Sequence, residues 1–178
     1  PKPAVNSVRA ASGRFGVTVW SGAAALWAMM PRRAVECVPT MYSAINGSKL
    51  LEQYDLSSLR YCISGGAPLP RAVQETFERL TGCILVEGYG LTEAGPVCTI
   101  NPFGAPRPGS IGLPLPGTLV EITAIDDPDR RLPIGQRGEI CISGPQVMAG
   151  YEGRPEETAE ALRGGRLHTG DVGYIDQD

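Results

Sequence analysis

The chain has 178 residues, 42% of them apolar, enough to bury the core of one compact domain or two small subdomains. Its net charge is −3 with acids and bases interspersed, which excludes the basic stripe of a nucleic-acid-binding surface, so no nucleic-acid partner is expected. No apolar run reaches the roughly 18 residues that span a bilayer.

Glycine (23) and proline (16) are plentiful but punctuate apolar runs, so they read as tight turns and not as disorder. The five cysteines, Cys37, Cys62, Cys83, Cys98 and Cys141, are scattered without CxxC spacing and read as reduced core thiols of a cytoplasmic protein. The single histidine, His168, excludes multi-histidine metal sites and most histidine-based triads. It reads as one face of a strand, with no partner in view. The chain starts at "PKPAV" and stops at "YIDQD", in what reads as mid-strand, so it is expected to be an internal piece of a longer protein.

In chain order, "RFGVTVW" reads as a strand and "GAAALWAMM" as a buried helix ended by Pro31. "AVEC" is a short strand, and "PTMYSAI" opens a helix with Pro39 in its first turn. "LRYCIS" (59–64) is a buried strand and "GGAPLP" a breaker-rich loop. "RAVQETFERLTG" places Val73, Phe77 and Leu80 on one helix face, with Gly82 as the stop. "CILV" is a second strand, ending where "EGYGLTEAG" begins as a turn. Strand, loop, helix, strand and loop form a βαβ unit around residues 59–95, with parallel strands and a right-handed crossover. Ligands of open α/β sheets bind beyond the carboxyl ends of the strands, and both glycine loops fall there.

Beyond about residue 100 the texture changes to short strands and frequent turns. "TLVEITAI" alternates at Val120, Ile122 and Ala124, and "EICIS" at Ile140 and Ile142. "RPEETAEAL" is a short helix, and "RLHTGDVGYID" a tight strand–turn–strand. The pattern predicts a small β-barrel or sandwich over 101–178, following an α/β subdomain over 1–100.

The loop residues suggest chemistry. Tyr89, flanked by Gly88 and Gly90, offers a flat face to a base, and the glycines let backbone approach a ligand closely. Thr92 supplies a hydroxyl for a phosphate oxygen, and Glu93 a hard oxygen ligand for Mg²⁺. The same stretch also fits a plain turn with Tyr89 in the core and Glu93 in solvent, which is the commoner case for so short a segment. Gly65 and Gly66 permit close approach to a planar ligand or simply turn the chain; no lysine follows, so this is no GxxxxGK[ST] loop. Asp171, in "HTGD", either accepts two ribose hydroxyls or caps its own turn.

Taken together and in order, "SGGAPLP", "EGYGLTEAG" and "GYEGRPEETAEAL…GGRLHTGDVGYIDQD" resemble the adenylate-forming superfamily of acyl-CoA synthetases, aryl-CoA ligases, luciferases and peptide-synthetase adenylation domains. "DLSSLRYCISGGAPLP", "PGSIGLPLPG", "GEICISGPQVMAGY" and "RLHTGDVGYID" are most similar to bacterial long-chain fatty acid–CoA ligases, over residues 35–178. The resemblance implies the central part of the large N-terminal domain: α/β, followed by a distorted β-barrel. It implies that Gly65, Gly66, Ala67 and Pro68 line the adenine and acyl pocket. Tyr89 then stacks on adenine, with Glu87 and Gly88 along its edge and Gly90 and Leu91 continuing the nucleotide loop. Thr92 touches the α-phosphate, Glu93 holds Mg²⁺, and Asp171 binds the ribose hydroxyls.

The implied reaction joins a fatty acid to CoA through an acyl-adenylate, using ATP and releasing AMP and pyrophosphate. The implied setting is cytoplasmic, with room for peripheral contact with the inner face of the membrane and for a homodimer. An aryl-CoA ligase, a peptide-synthetase adenylation domain and a non-catalytic nucleotide-binding truncation are the alternatives. "GYEG" departs from the family pattern at Glu152, where an aromatic often stands. The family's lysine-ended phosphate loop, its hinge and its C-terminal domain have no counterpart in these residues, so the chain alone is expected to catalyse neither step.

Overall fold

The computed structural model describes residues 34–177. The strand expected at "RFGVTVW" and the helix at "GAAALWAMM" lie outside the described residues. The chain forms two compact units, one of residues 34–90 with 97–115, the other of residues 91–96 with 116–177.

The first unit is α/β. β1 (Ala34–Cys37), β2 (Tyr61–Ser64) and β3 (Ile84–Tyr89) are parallel neighbours, and β4 (Thr99–Ile100) and β5 (Leu113–Pro114) extend the sheet antiparallel, in the order β1-β2-β3-β4-β5. Helices α1 (Pro39–Asn46) and α2 (Arg71–Thr81) supply the two crossovers. Strands buried on both faces read as continuous apolar runs, and the side chains separate by period two. Cys62 and Leu85 pack with Tyr42, Phe77 and Cys83, while Ile63 and Val86 pack with Val97 and Leu115. Each large apolar side chain so buried stabilises by about 1.5–3 kcal/mol. Tyr42 of α1 is fully buried, edge-on to Phe77 at 4.8 Å, and its hydroxyl donates to the Ile63 carbonyl at 2.7 Å.

Helix α2 differs from the sequence reading in one respect. Val73 and Phe77 face the sheet, but Leu80 is 44% exposed. The covered face runs instead through Gln74 and Glu78. Gln74 Nε2 donates to the Leu85 carbonyl at 2.7 Å, and the Leu85 N–H donates to Glu78 Oε1 at 2.8 Å. β4 pairs with β3 only at Gly88 and Tyr89, so among the described residues no strand lies beside the outer edge of β3 near Leu85. The two polar side chains satisfy that edge.

β3 is also longer than "CILV" suggests. Glu87, Gly88 and Tyr89 remain in the strand because Gly88 and Tyr89 pair with Ile100 and Thr99. Tyr89 is therefore the last residue of a strand, not a residue of a free turn.

The second unit contains β6 (Leu119–Thr123), β7 (Gly138–Ser143) and β8 (Leu167–Gly173), antiparallel in the order β6-β7-β8, and helix α3 (Pro155–Ala161). β7 is central, so Ile140, Cys141 and Ile142 are all buried. The expected barrel is not formed by the described residues: three strands give an open sheet with β6 and β8 as edges, too few to close on themselves. "RLHTGDVG" is not a hairpin either. It is one strand with a bulge, in which the register passes from Cys141↔His168 to Glu139↔Val172, so Thr169, Gly170 and Asp171 stand opposite Ile140 alone. Gly170, at φ 75°, makes the bulge possible.

Candidate functional site

In the α/β unit, the loop 65–70 leaves the carboxyl end of β2 and enters α2. Its start lies against the end of β3: a Cβ added to Gly65 would stand 3.7 Å from the Gly88 carbonyl oxygen. Gly88 is packed more tightly, since a Cβ there would meet Thr99 O at 3.1 Å and Ile63 Cγ2 at 3.4 Å. Gly65 is half-buried, and Gly66, Ala67 and Pro68 are exposed. Glu87 ties the loop to the strand, its Oε1 accepting the Leu69 N–H at 3.1 Å. Burial pushes the Glu87 carboxyl up, against the lowering effect of that bond. Tyr89 is half-buried, and its carbonyl accepts the Cys98 N–H at 2.8 Å. Gly65, Gly66, Ala67, Pro68, Glu87, Gly88, Tyr89 and Gly90 thus share the rim formed by the ends of β2 and β3.

Residues that the sequence did not single out line a cavity of about 300 Å³ on this unit: Leu69, Arg71, Asn101 and Arg107, beside Glu87. Buried Asn101 organises it. Its amide donates to the Glu87 carbonyl at 3.0 Å, and its Oδ1 accepts the Arg107 N–H at 2.9 Å. No motif marks Asn101, since only the pairing of β3 with β4 brings it to Glu87.

Leu91, Thr92, Glu93 and Asp171 belong to the second unit. Thr92 and Glu93 lie on a single 3₁₀ turn over Thr92–Ala94. The turn is fixed from both sides: Glu93 O accepts the Met148 N–H at 2.8 Å, and Gly95 approaches the Gln146 backbone. The Glu93 carboxylate is half-buried, and its Oε1 accepts the Tyr151 phenol at 3.0 Å. That bond to Glu93 pushes the phenol up. A carboxylate with one oxygen engaged and the other outside this bond suits Mg²⁺, which takes few protein ligands and keeps several waters.

Asp171 is exposed in the β8 bulge, and its N–H donates to Thr169 Oγ1 at 3.1 Å. His168, expected to lack a partner, has two neighbours. Its Nδ1 is 2.8 Å from Glu139 Oε2 and 3.4 Å from Cys141 Sγ. The three donor atoms lie within 4.8 Å of one another and are of types that zinc accepts. The set is already closed, however. Glu139 Oε2 also receives the Arg163 guanidinium at 3.3 Å, Oε1 accepts the Gly170 N–H at 3.0 Å, and burial pushes the Cys141 thiol up, away from thiolate. For Glu139, burial acts to raise the carboxyl, but the bonds from His168 and Gly170 outweigh it and hold it below the ordinary carboxylate range. Among the described residues all five cysteines are free thiols, and no helix is long and apolar enough to cross a membrane.

The described residues thus form a mixed α/β unit with glycine loops at the ends of its parallel strands, and a second unit that holds an antiparallel sheet. The chain belongs to the AMP-binding enzyme family, whose pattern it matches over residues 4–152. It is 44% identical over 152 residues to a long-chain-fatty-acid–CoA ligase of Escherichia coli (strain CFT073), covering 85% of this chain and 27% of the relative. It is 48% identical over 141 residues to the ligase of the same name from Bacillus subtilis (strain 168), covering 79% of this chain and 25% of that protein. The chain thus spans about a quarter of the length of these curated relatives. Among solved structures, an anthranilate CoA ligase in complex with anthranoyl-AMP superposes with a TM-score of 0.74 at 30% identity, covering 82% of this chain and 28% of the other.

Proposed function

We propose that this chain is the nucleotide-handling part of an ATP-dependent fatty acid–CoA ligase. The observation that carries the reading is the rim of the α/β unit, where the loop from Gly65 to Pro68 lies against Gly88 at the ends of two parallel strands, in a chain whose relatives are CoA ligases. Tyr89 stacks on the adenine, with Glu87, Gly88, Gly90 and Leu91 around it and Gly65, Gly66, Ala67 and Pro68 bordering both the adenine and the acyl group. Thr92 donates to the α-phosphate. Glu93 holds Mg²⁺, which supplies charge neutralisation for the phosphates. Asp171 accepts the two ribose hydroxyls.

The reaction runs in two steps. A fatty acid carboxylate attacks the α-phosphorus of ATP, and pyrophosphate leaves. The CoA thiol then attacks the acyl carbon, and AMP leaves. Charge stabilisation and alignment carry the first step, so no histidine base is required. The free thiols suit a reducing cytoplasm. In this reading the three-stranded sheet belongs to a distorted β-barrel. Peripheral membrane contact and a homodimer remain part of the proposal.

The aryl-CoA reading is the runner-up. The fatty acyl reading is preferred because identity to the curated fatty acid ligases is 44% and 48%, against 41% to a probable 4-coumarate–CoA ligase of Dictyostelium discoideum. The test is competition between two non-hydrolysable adenylate analogues, a hexadecanoyl and a benzoyl sulfamoyl-adenosine, for this chain. Tighter binding of the hexadecanoyl analogue than of the benzoyl analogue is the expected result. A benzoyl analogue that outcompetes it overturns the fatty acyl assignment.

A further inference from the structure

The β8 bulge is held by side chains that the reading of Asp171 does not use. Thr169, Gly170 and Asp171 stand opposite a single residue of β7, which interrupts the regular ladder there. Three side-chain bonds bridge the interruption. Thr169 Oγ1 donates to the Ile140 carbonyl at 2.8 Å and accepts the Asp171 N–H at 3.1 Å. The Gly170 N–H donates to Glu139 Oε1 at 3.0 Å.

The Glu139 carboxylate therefore acts as a clamp. One oxygen takes the Gly170 N–H, next to Asp171. The other takes His168 Nδ1 at 2.8 Å and the Arg163 guanidinium at 3.3 Å. The His168 and Glu139 side chains are only 3% and 16% exposed, so these bonds are shielded from water and fix the carboxylate's direction. Arg163, just after α3, and Cys141 on β7 are the other polar groups against the pair. Both oxygens being committed, Glu139 has one orientation to offer, and Gly170 has one acceptor to follow.

We infer that Glu139, oriented by His168, is a positioning residue for Asp171: it clamps the β8 bulge in the shape that presents the Asp171 carboxylate to the ribose hydroxyls of the nucleotide. The inference rests on the ribose role of Asp171 proposed above. Glu139 touches no substrate and acts through Gly170. Its loss therefore costs recognition of the hydroxyls and not stacking on the base.

Two measurements test it on the whole chain. The first is amide hydrogen exchange of Gly170 without ligand. Glu139→Ala leaves the Gly170 N–H without its charged acceptor and speeds its exchange by about tenfold or more, whereas Glu139→Gln, which keeps an acceptor oxygen in place, loses less. The second is the ratio of affinities for AMP and 2′-deoxyAMP. The wild type prefers AMP, Asp171→Ala abolishes the preference, and Glu139→Ala brings it to within about twofold of unity, with 2′-deoxyAMP affinity little changed. Glu139→Gln restores part of the preference, and His168→Gln reduces it.

The outcomes are distinct. A wild type that does not separate the two nucleotides overturns the ribose role of Asp171, and the inference with it. A wild type that separates them, beside a folded Glu139→Ala variant that separates them equally well, overturns the inference alone. Unchanged Gly170 exchange in Glu139→Ala does the same.

Discussion

The turn that carries Thr92 and Glu93 is locked by a close backbone approach, and replacing Gly95 by alanine measures that lock. Gly95 has φ +70°, and an added Cβ would stand 2.9 Å from the Gln146 carbonyl oxygen. An L side chain in the left-handed region costs about 1–2 kcal/mol. The contact is with main chain, so no rotamer relieves it. Gln146 must move, and it sits between Gly144, whose carbonyl accepts the Val147 N–H at 3.2 Å, and Met148, whose N–H donates to Glu93 O at 2.8 Å. Losing one of these bonds adds about 1 kcal/mol.

Gly153 in the same unit is the control, at φ +67° with nothing within 4 Å of an added Cβ. Gly153→Ala should show the conformational cost alone, and Gly95→Ala about 1–2 kcal/mol more. In a chain of this size each kcal/mol is a Tm shift of about 2–4 °C. The assay is urea and thermal unfolding of both variants by circular dichroism. Equal destabilisation of the two would refute the account of how Glu93 is held.

Glu78→Ala strips the acceptor from the Leu85 N–H of β3, and should cost about 1–3 kcal/mol in urea unfolding, with Glu78→Gln costing less. For Glu139 the sign follows from a folded pKa held below its unfolded value. Its contribution is full above the ordinary carboxylate pKa of about 4.3 and is lost as pH falls through the folded value. The gap in urea midpoint between wild type and Glu139→Gln should therefore be widest near neutrality and close in acid; a gap constant with pH contradicts this.

Much of the α/β unit is legible from residue pattern. "PTMYSAI" and "RAVQETFERLT" start and stop where Pro39 and Gly82 imply, and the strands between them are short apolar runs too brief to be helices. What the pattern hides is long-range. Gly88 and Tyr89 look like a turn because glycine is a poor strand former. Their pairing with Thr99 and Ile100, contributed from further along the chain, keeps them in β3. Leu80 fits the helical period, but α2 turns Gln74 and Glu78 towards the Leu85 backbone, a need no local pattern reveals. His168 and Glu139 are 29 residues apart in sequence and meet only because β7 and β8 pair across a bulge. The Gly170-Asp171 pair reads equally well as a hairpin turn and as that bulge. Repeated short strands suggest closure, whereas the three strands of this unit among the described residues form an open sheet.

The central claim is that this chain handles a nucleotide through Tyr89 and Asp171. Calorimetric titration of AMP into the wild-type chain, Tyr89→Ala and Asp171→Ala tests it most directly. The account predicts saturable binding by the wild type, weakened in both variants, with Tyr89→Ala losing about 1–3 kcal/mol of stacking. A wild-type chain that is folded by circular dichroism yet takes up no AMP would contradict it.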